Sequence, residues 1–248
     1  MKSMASIIVL STLVSAAFAP AVAAWELVAS FRSPIGNPYG YAADSMQSGW
    51  INSDGSVPYV NRVHLGTGSI VSSFPAPGGA GAWGVANNLG FGLFISNNRT
   101  SWIYKTTTNG SLYSSFPCPV LGPADLDVEE GYGYLYIAIP ARNIIAVVNP
   151  TTGSLVSTFA APGSRPTGCC GYGVTLIADS ATHTIYEDGR PVITGIQTPM
   201  GIDDGHTLGQ DIGYFMWVVD AATGYIYSYE NWVGTEPASL GRVKALFR

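Results

Sequence analysis

One phrase recurs along the chain, and its spacing limits the available folds more than any other feature. It reads Glu26-Leu-Val-Ala-Ser-Phe31-Arg-Ser-Pro34, then Ser69-Ile-Val-Ser-Ser-Phe74-Pro-Ala-Pro77. It returns as Ser111-Leu-Tyr-Ser-Ser-Phe116-Pro-Cys-Pro119 and Ser154-Leu-Val-Ser-Thr-Phe159-Ala-Ala-Pro162, with a worn fifth copy at Val192-Ile-Thr-Gly-Ile196-Gln-Thr-Pro199. In each an apolar residue stands three positions before a proline, and successive copies are 43, 42, 43 and 37 residues apart. A period of about 40–50 residues marks stacked supersecondary units rather than one irregular domain.

Three further segments sit between successive phrases. The first carries glycine or a small residue: Pro38-Tyr-Gly-Tyr-Ala42, Ala82-Trp-Gly-Val-Ala86, Pro123-Ala-Asp-Leu-Asp127, Pro166-Thr-Gly-Cys-Cys170 and Pro199-Met-Gly-Ile-Asp203. The second is apolar, as in Gly92-Leu-Phe-Ile95 and Tyr134-Leu-Tyr-Ile137, and the third alternates, as in Trp102-Ile-Tyr104 and Tyr225-Ile-Tyr227. Short β-branched and aromatic runs between turn residues read as strands. Glycine turns such as Asn109-Gly110 and Thr152-Gly153 then lead back into the phrase, supplying the positive φ that tight hairpins need.

Each repeat is therefore expected to be a four-stranded antiparallel meander. Such a unit cannot cover both faces of its own sheet, so the units must stack, and radial stacking gives an all-β propeller. The glycine-bearing strand belongs nearest the axis, where blades crowd. The phrase and the inner strand are out of phase, so Leu27–Phe31 is expected to complete the last of five blades and close the ring. Closure removes two open sheet edges. A six-bladed ring would need a blade the sequence does not contain.

Residues 1–23 read as a secretory signal peptide: Lys2, an apolar run from Ile7 to Phe18, and Ala21-Val-Ala23 as the cleavage site. A membrane anchor would need about 20 apolar residues, and this run is broken by Ser11, Thr12, Ser15 and Pro20. No later stretch is long enough to cross a bilayer. Residues 24–233 make up the propeller, and 234–248 form a tail or an extra closing strand. The expected location is secreted, periplasmic or at the cell surface. Charged residues are 11% of the chain, against a typical value of about 25%. A net charge of −5 without a Lys/Arg cluster argues against nucleic acid as a partner. Cys118 falls in the slot held by Ser33, Ala76, Ala161 and Thr198 in the other copies, a place for a small buried residue. Cys169-Cys170 leaves two options open, a vicinal disulfide in an oxidising compartment or two packed thiols.

The combination of Asn149-Pro-Thr-Thr-Gly-Ser154, Thr175-Leu-Ile-Ala-Asp179 and the recurring phrase resembles secreted bacterial propellers of the NHL/streptogramin-lyase-like superfamily. The likeness spans nearly the whole mature chain. It implies the fold and leaves the activity open, since the superfamily holds both enzymes and binding modules.

Three groups of residues carry candidate chemistry. Asp125 and Asp127 come from one blade and Asp203 and Asp204 from another, and carboxylates converging from different blades suit Ca²⁺ or another divalent cation in the channel. His206, beside Asp203 and Asp204, is a candidate general acid–base residue, because imidazole titrates near neutrality. Tyr39, Trp83 and Met200 precede the inner-strand glycine and face one mouth of the channel, where aromatic rings can hold a sugar or anchor a partner. The expected function is an exported, non-catalytic propeller that binds a protein, glycan or small ligand at a channel mouth. The alternatives are a hydrolase or lyase using the channel acids, and a structural envelope component.

Overall fold

The computed structural model describes residues 25–45, 47–53, 58–88, 92–129, 133–172, 174–204 and 214–231. The segment read as a signal peptide, His206 and the tail lie outside these residues. The first strand, β1 (Trp25–Arg32), stands apart from the meanders that follow. Blade I is β2 (Pro38–Ser45), β3 (Ser48–Ser53), β4 (Tyr59–His64) and β5 (Ser69–Pro75). Blade II is β6 (Ala82–Asn88), β7 (Gly92–Asn97), β8 (Trp102–Thr106) and β9 (Leu112–Pro117). Blade III is β10 (Leu126–Val128), β11 (Leu135–Ile139), β12 (Ile144–Val148) and β13 (Leu155–Ala160). Blade IV is β14 (Pro166–Tyr172), β15 (Val174–Asp179), β16 (Thr184–Glu187) and β17 (Arg190–Thr194).

Blade V is assembled from both ends of the described chain. Strands β18 (Pro199–Asp203), β19 (Tyr214–Asp220) and β20 (Tyr225–Asn231) form three of its four strands, and β1 pairs antiparallel with β20 as the fourth. Leu27 stands opposite Tyr229 and Phe31 opposite Ile226. The structure is thus a five-bladed β-propeller of four-stranded antiparallel sheets, closed by the N-terminal strand as the repeat phase requires. Its described residues contain one helical element, a 3-10 turn at Pro140–Arg142, and no helix among them is long and apolar enough to cross a membrane.

The recurring phrase forms the outer strands. Phe31, Phe74, Phe116 and Phe159 pair with Ile226, Val60, Ile103 and Ile145 of the neighbouring strands. The hairpin turn of the following blade then covers the ring. A Cβ on Gly110 would lie 2.6 Å from the Phe74 ring, and one on Gly153 would lie 2.8 Å from that of Phe116. These turns need glycine for space as well as for positive φ.

Blade IV departs from the expected alignment. The residue opposite Ile185 is Ile193, not Ile196, and the backbone bond that places Cys118 and Ala161 is made there by Gly195, not Thr198. The Asp188-Gly189 hairpin is tighter, so β17 starts early and the residues before Pro199 run on as a loop. The other members of that slot, Ser33, Ala76, Cys118 and Ala161, are buried as expected.

Every outer strand also carries one residue more than its partner. The extra residue is Val28, Val71, Tyr113 and Val156, each three positions before the phenylalanine, and Val192 in blade IV. A bulge bends and twists the strand locally, which blunts an exposed edge against pairing with another chain.

Candidate functional site

The channel is built by β2, β6, β10, β14 and β18, each packed against the next, with β18 returning to β2. Their approach is set by glycine. A Cβ on Gly84 would lie 2.6 Å from Ala124 O and 2.7 Å from Asp125 Cα. One on Gly168 would lie 2.6 Å from Met200 O, and one on Gly201 2.6 Å from Tyr41 N. Blade III alone breaks this rule, because Asp125 occupies the position of the glycine. Its inner strand is correspondingly the shortest, three residues that begin only at Leu126.

Asp125 is 2% exposed and reaches past blade IV to blade V, where its Oδ2 accepts the Ile202 N–H at 3.1 Å. Its Oδ1 is buried with no hydrogen-bond partner among the described residues. Burial raises this carboxyl well above its ordinary range, the Ile202 amide opposes the shift, and the Asp203 charge adds to it. The next acidic pair occupies equivalent positions and does equivalent work. Asp203 Oδ2 accepts Ala43 N–H at 3.0 Å, and Asp127 Oδ2 accepts Gly171 N–H at 3.3 Å, each bond crossing to the following blade. Burial, then the charges of Asp203 and Asp204, hold the Asp127 carboxyl well above its usual range.

Of the four acids expected in the channel, Asp125, Asp127, Asp203 and Asp204, the Asp203 charge acts on both Asp125 and Asp127, and the Asp204 charge acts on Asp127. Three of them are engaged by backbone amides. Among the described residues, no group of three or more His, Cys, Asp or Glu side chains has the geometry to hold a metal ion.

Cys169 and Cys170 are free thiols. Successive residues of a strand face opposite sides, and these two enter different cores: Cys169 packs with Ala124, Ala138 and Ile177, and Cys170 with Leu176, Ile185 and Ile202. That divergence settles the alternative left open above in favour of separate thiols. Burial pushes both well above the ordinary thiol range.

At the other end of the same strands lie the expected ligand-binding residues. Tyr39 and Trp83 are half-buried and stacked, with ring centroids 5.2 Å apart and planes 23° from parallel. The Trp83 indole Nε1 is buried without an acceptor among the described residues. Met200 differs from them, being 6% exposed, so it offers a ligand little surface. The corresponding residues of blades III and IV, Ala124 and Thr167, are small and buried, so the aromatic platform belongs to blades I and II. His64 and His183 lie on or beside the third strands, away from the axis.

Asp179, visible in the sequence only as the end of an apolar strand, has a structural task. It accepts hydrogen bonds from the amides of Ser164, Arg165, Ala181 and Thr182 and from the Thr182 hydroxyl. Burial pushes its carboxyl up, but the amides of Arg165, Thr182 and Ser164 prevail and hold it below the ordinary range. Asp220 does the same for Gln197, Thr198 and Ala222, and Asn97 for Thr100. Each ties two loops of the aromatic end together.

Off the axis, an open cleft of about 450 Å³ lies between blades I and II, lined by Asp44, Trp50, Arg62, Ser72, Ser73 and Thr108. Asp44 holds Arg62 there in an ion pair and accepts the Ser48 hydroxyl at 2.9 Å, which ties β2 to β3 and β4.

Fold and channel together define a closed five-bladed propeller with an aromatic mouth and an acidic mouth. No protein-family model and no curated protein sequence matches the chain. Solved structures do match its shape. A glutaminyl cyclase from Myxococcus xanthus is 11% identical with a TM-score of 0.63, covering 86% of this chain and 98% of its own. An inactive H270A virginiamycin B lyase from Staphylococcus aureus, solved with quinupristin, is 16% identical with a TM-score of 0.51, covering 82% and 69%. A nidogen in complex with laminin is 17% identical with a TM-score of 0.52, covering 75% and 77%. These likenesses establish the fold, in agreement with the resemblance read from the repeats.

Proposed function

We propose that the protein is an exported, non-catalytic propeller that holds a protein, glycan or small ligand at the mouth formed by Tyr39 and Trp83. The observation that carries this reading is the stacked pair itself. Two large aromatic faces remain partly open at the end of a channel whose other mouth positions are small or buried, and aromatic faces of this kind serve as contact surfaces for rings and partner side chains. Similarly shaped propellers have been captured with a small molecule, quinupristin, and with a protein, laminin. Export is supported by the Lys2, Ile7–Phe18 and Ala21-Val-Ala23 pattern. A second reading, a hydrolase or lyase at the acidic mouth, draws on the raised Asp127 carboxyl, which keeps the proton a general acid requires.

A glycan array and a short-peptide array, each probed with wild type and with Tyr39→Ala/Trp83→Ala, test the binding reading. Wild type retains one ligand class, and the double variant loses it while its Tm stays within a few degrees. Equal retention by the two proteins would remove the aromatic mouth as the binding site.

A further inference from the structure

The ring closes on the edge of β20, and the strand seated there is lightly held. None of the eight residues of β1 is buried, and Leu27 is 51% exposed. Beyond the backbone ladder, Phe31 stands opposite Ile226 and packs against Tyr41, Trp217 and Val219 at the seam with blade I. The Trp25 indole N–H donates to Glu187 Oε2 at 3.1 Å. Immediately after the strand, Ser33 N–H donates to Gly224 O at 2.8 Å. An edge element with so little buried surface opens at a lower free energy than the sheet behind it.

A second segment of the chain carries the same pattern. Glu26-Leu-Val-Ala-Ser-Phe31-Arg32 aligns with Arg242-Val-Lys-Ala-Leu-Phe247-Arg248, and alanine, phenylalanine and arginine are identical, three positions of seven. The phrases beginning at Ser69, Ser111 and Ser154 each match β1 at three of the seven as well. Residues 242–248 are therefore as close to β1 as the strands that fill this place in blades I, II and III. The matches also fall where they fit. Phe247 takes the position of Phe31 at the seam, Val243 that of Leu27, and Ala245 that of Ala29, which stands opposite buried Ser228. Leu246 falls opposite Tyr227, in the place of Ser30, and so adds an apolar cross-strand pair. Lys244 falls on Val28, the extra residue of the bulge.

We propose that 242–248 is a second closing strand, which pairs with β20 in place of Trp25–Arg32 and competes with it for that edge. The connection is long enough. Ten residues, 232–241, separate β20 from the segment, where blades I, II and III pass from third to fourth strand with four, five and six. Gly234, Pro237 and Gly241 within that stretch are turn residues. Seated in this way, the segment completes blade V as a simple meander, the connection that blades I to IV already use. One edge admits one strand, because each of its N–H and C=O groups makes its ladder bond once. The short link on the same chain keeps the effective concentration of the segment high. The last blade thus stays four-stranded when its N-terminal strand is drawn off, and that strand becomes available to pair elsewhere.

The test keeps the full mature chain and compares Phe31→Asp, Phe247→Asp and the double variant by thermal melting. Phe247→Asp alone is expected to shift Tm by less than about 1 °C and Phe31→Asp to lower it by a few degrees. Together they are expected to cost about 5 °C or more beyond the sum of the single losses, whereas independent sites would simply add. Ala245→Cys/Ser228→Cys locates the exchange, since facing residues of neighbouring strands lie within disulfide reach. On oxidation the introduced thiols are expected to join within one monomer about fivefold more often when Phe31→Asp is also present. Unfolding by Phe31→Asp alone, additive losses in the double variant, or a disulfide yield indifferent to Phe31→Asp would overturn the proposal. A disulfide formed only between two copies would overturn it too, and would assign the segment to a neighbouring molecule.

Discussion

Replacing Gly84 by alanine adds one methyl group where the structure has least room for it. The new Cβ would sit 2.6 Å from Ala124 O, 2.7 Å from Asp125 Cα and 2.9 Å from Leu126 N, all backbone atoms of the next blade. Relief requires β6 or β10 to retreat by several tenths of an ångström. Neither is at liberty to do so. Gly84 N–H donates to Ser96 Oγ at 2.8 Å, its carbonyl accepts Asn52 Nδ2 at 2.8 Å, and β10 is itself wedged between β6 and β14. Overpacking of this kind costs about 1–3 kcal/mol, and at roughly 2–4 °C per kcal/mol for a domain of this size Tm falls by about 2–12 °C. The matched control is Gly36→Ala. That glycine is exposed with nothing within 4 Å of its added Cβ, so the change stays within about 1 kcal/mol and is neutral or favourable. Calorimetric melts of the two variants decide the matter. A Gly84→Ala melt within 1 °C of wild type, or an equal loss in both variants, would show that the ring of inner strands is not held at contact distance by its glycines.

Two acids are expected to respond to pH in opposite senses. Asp179 is held low in the folded state, so its contribution is present above the unfolded value of about 3.9 and disappears as pH falls through the folded value. Asp179→Ala should cost at least about 2 kcal/mol at pH 7, measured by urea unfolding, and the gap to wild type should narrow below about pH 4; a gap independent of pH refutes this. Asp125 is held high by burial, so wild type loses stability as pH rises through the folded value. Asp125→Asn should flatten that decline and melt at or above wild type at pH 8, and a variant that follows the wild-type pH curve contradicts the assignment.

The architecture was legible because it repeats. Five meanders announce themselves by turn glycines, and the phase difference between Phe31 and Gly40 already requires a shared last blade. What escaped reading is what happens between blades. Asp203 bonds Ala43 and Asp125 bonds Ile202, partners 160 and 77 residues away, and no local pattern reports such adjacency. The offset of Ile193 escaped for a related reason: the shortened blade IV hairpin is partly offset by a longer run between β17 and Pro199, so Ile196 still stands three positions before a proline. One signal was present and unused. Ile70-Val71, Leu112-Tyr113 and Leu155-Val156 place two apolar residues in succession on strands otherwise rich in serine, a break in alternation that marks the bulge.

The pairing of β1 with β20 also has a bearing on the order of events in synthesis. The strand made earliest finds its place only after residues 225–231 have left the ribosome, about two hundred positions later. Until then it is a waiting segment with an apolar face, and contacts of such long sequence separation form slowly. A ring joined in this way cannot lock before β20 exists, so its closure waits on the last blade.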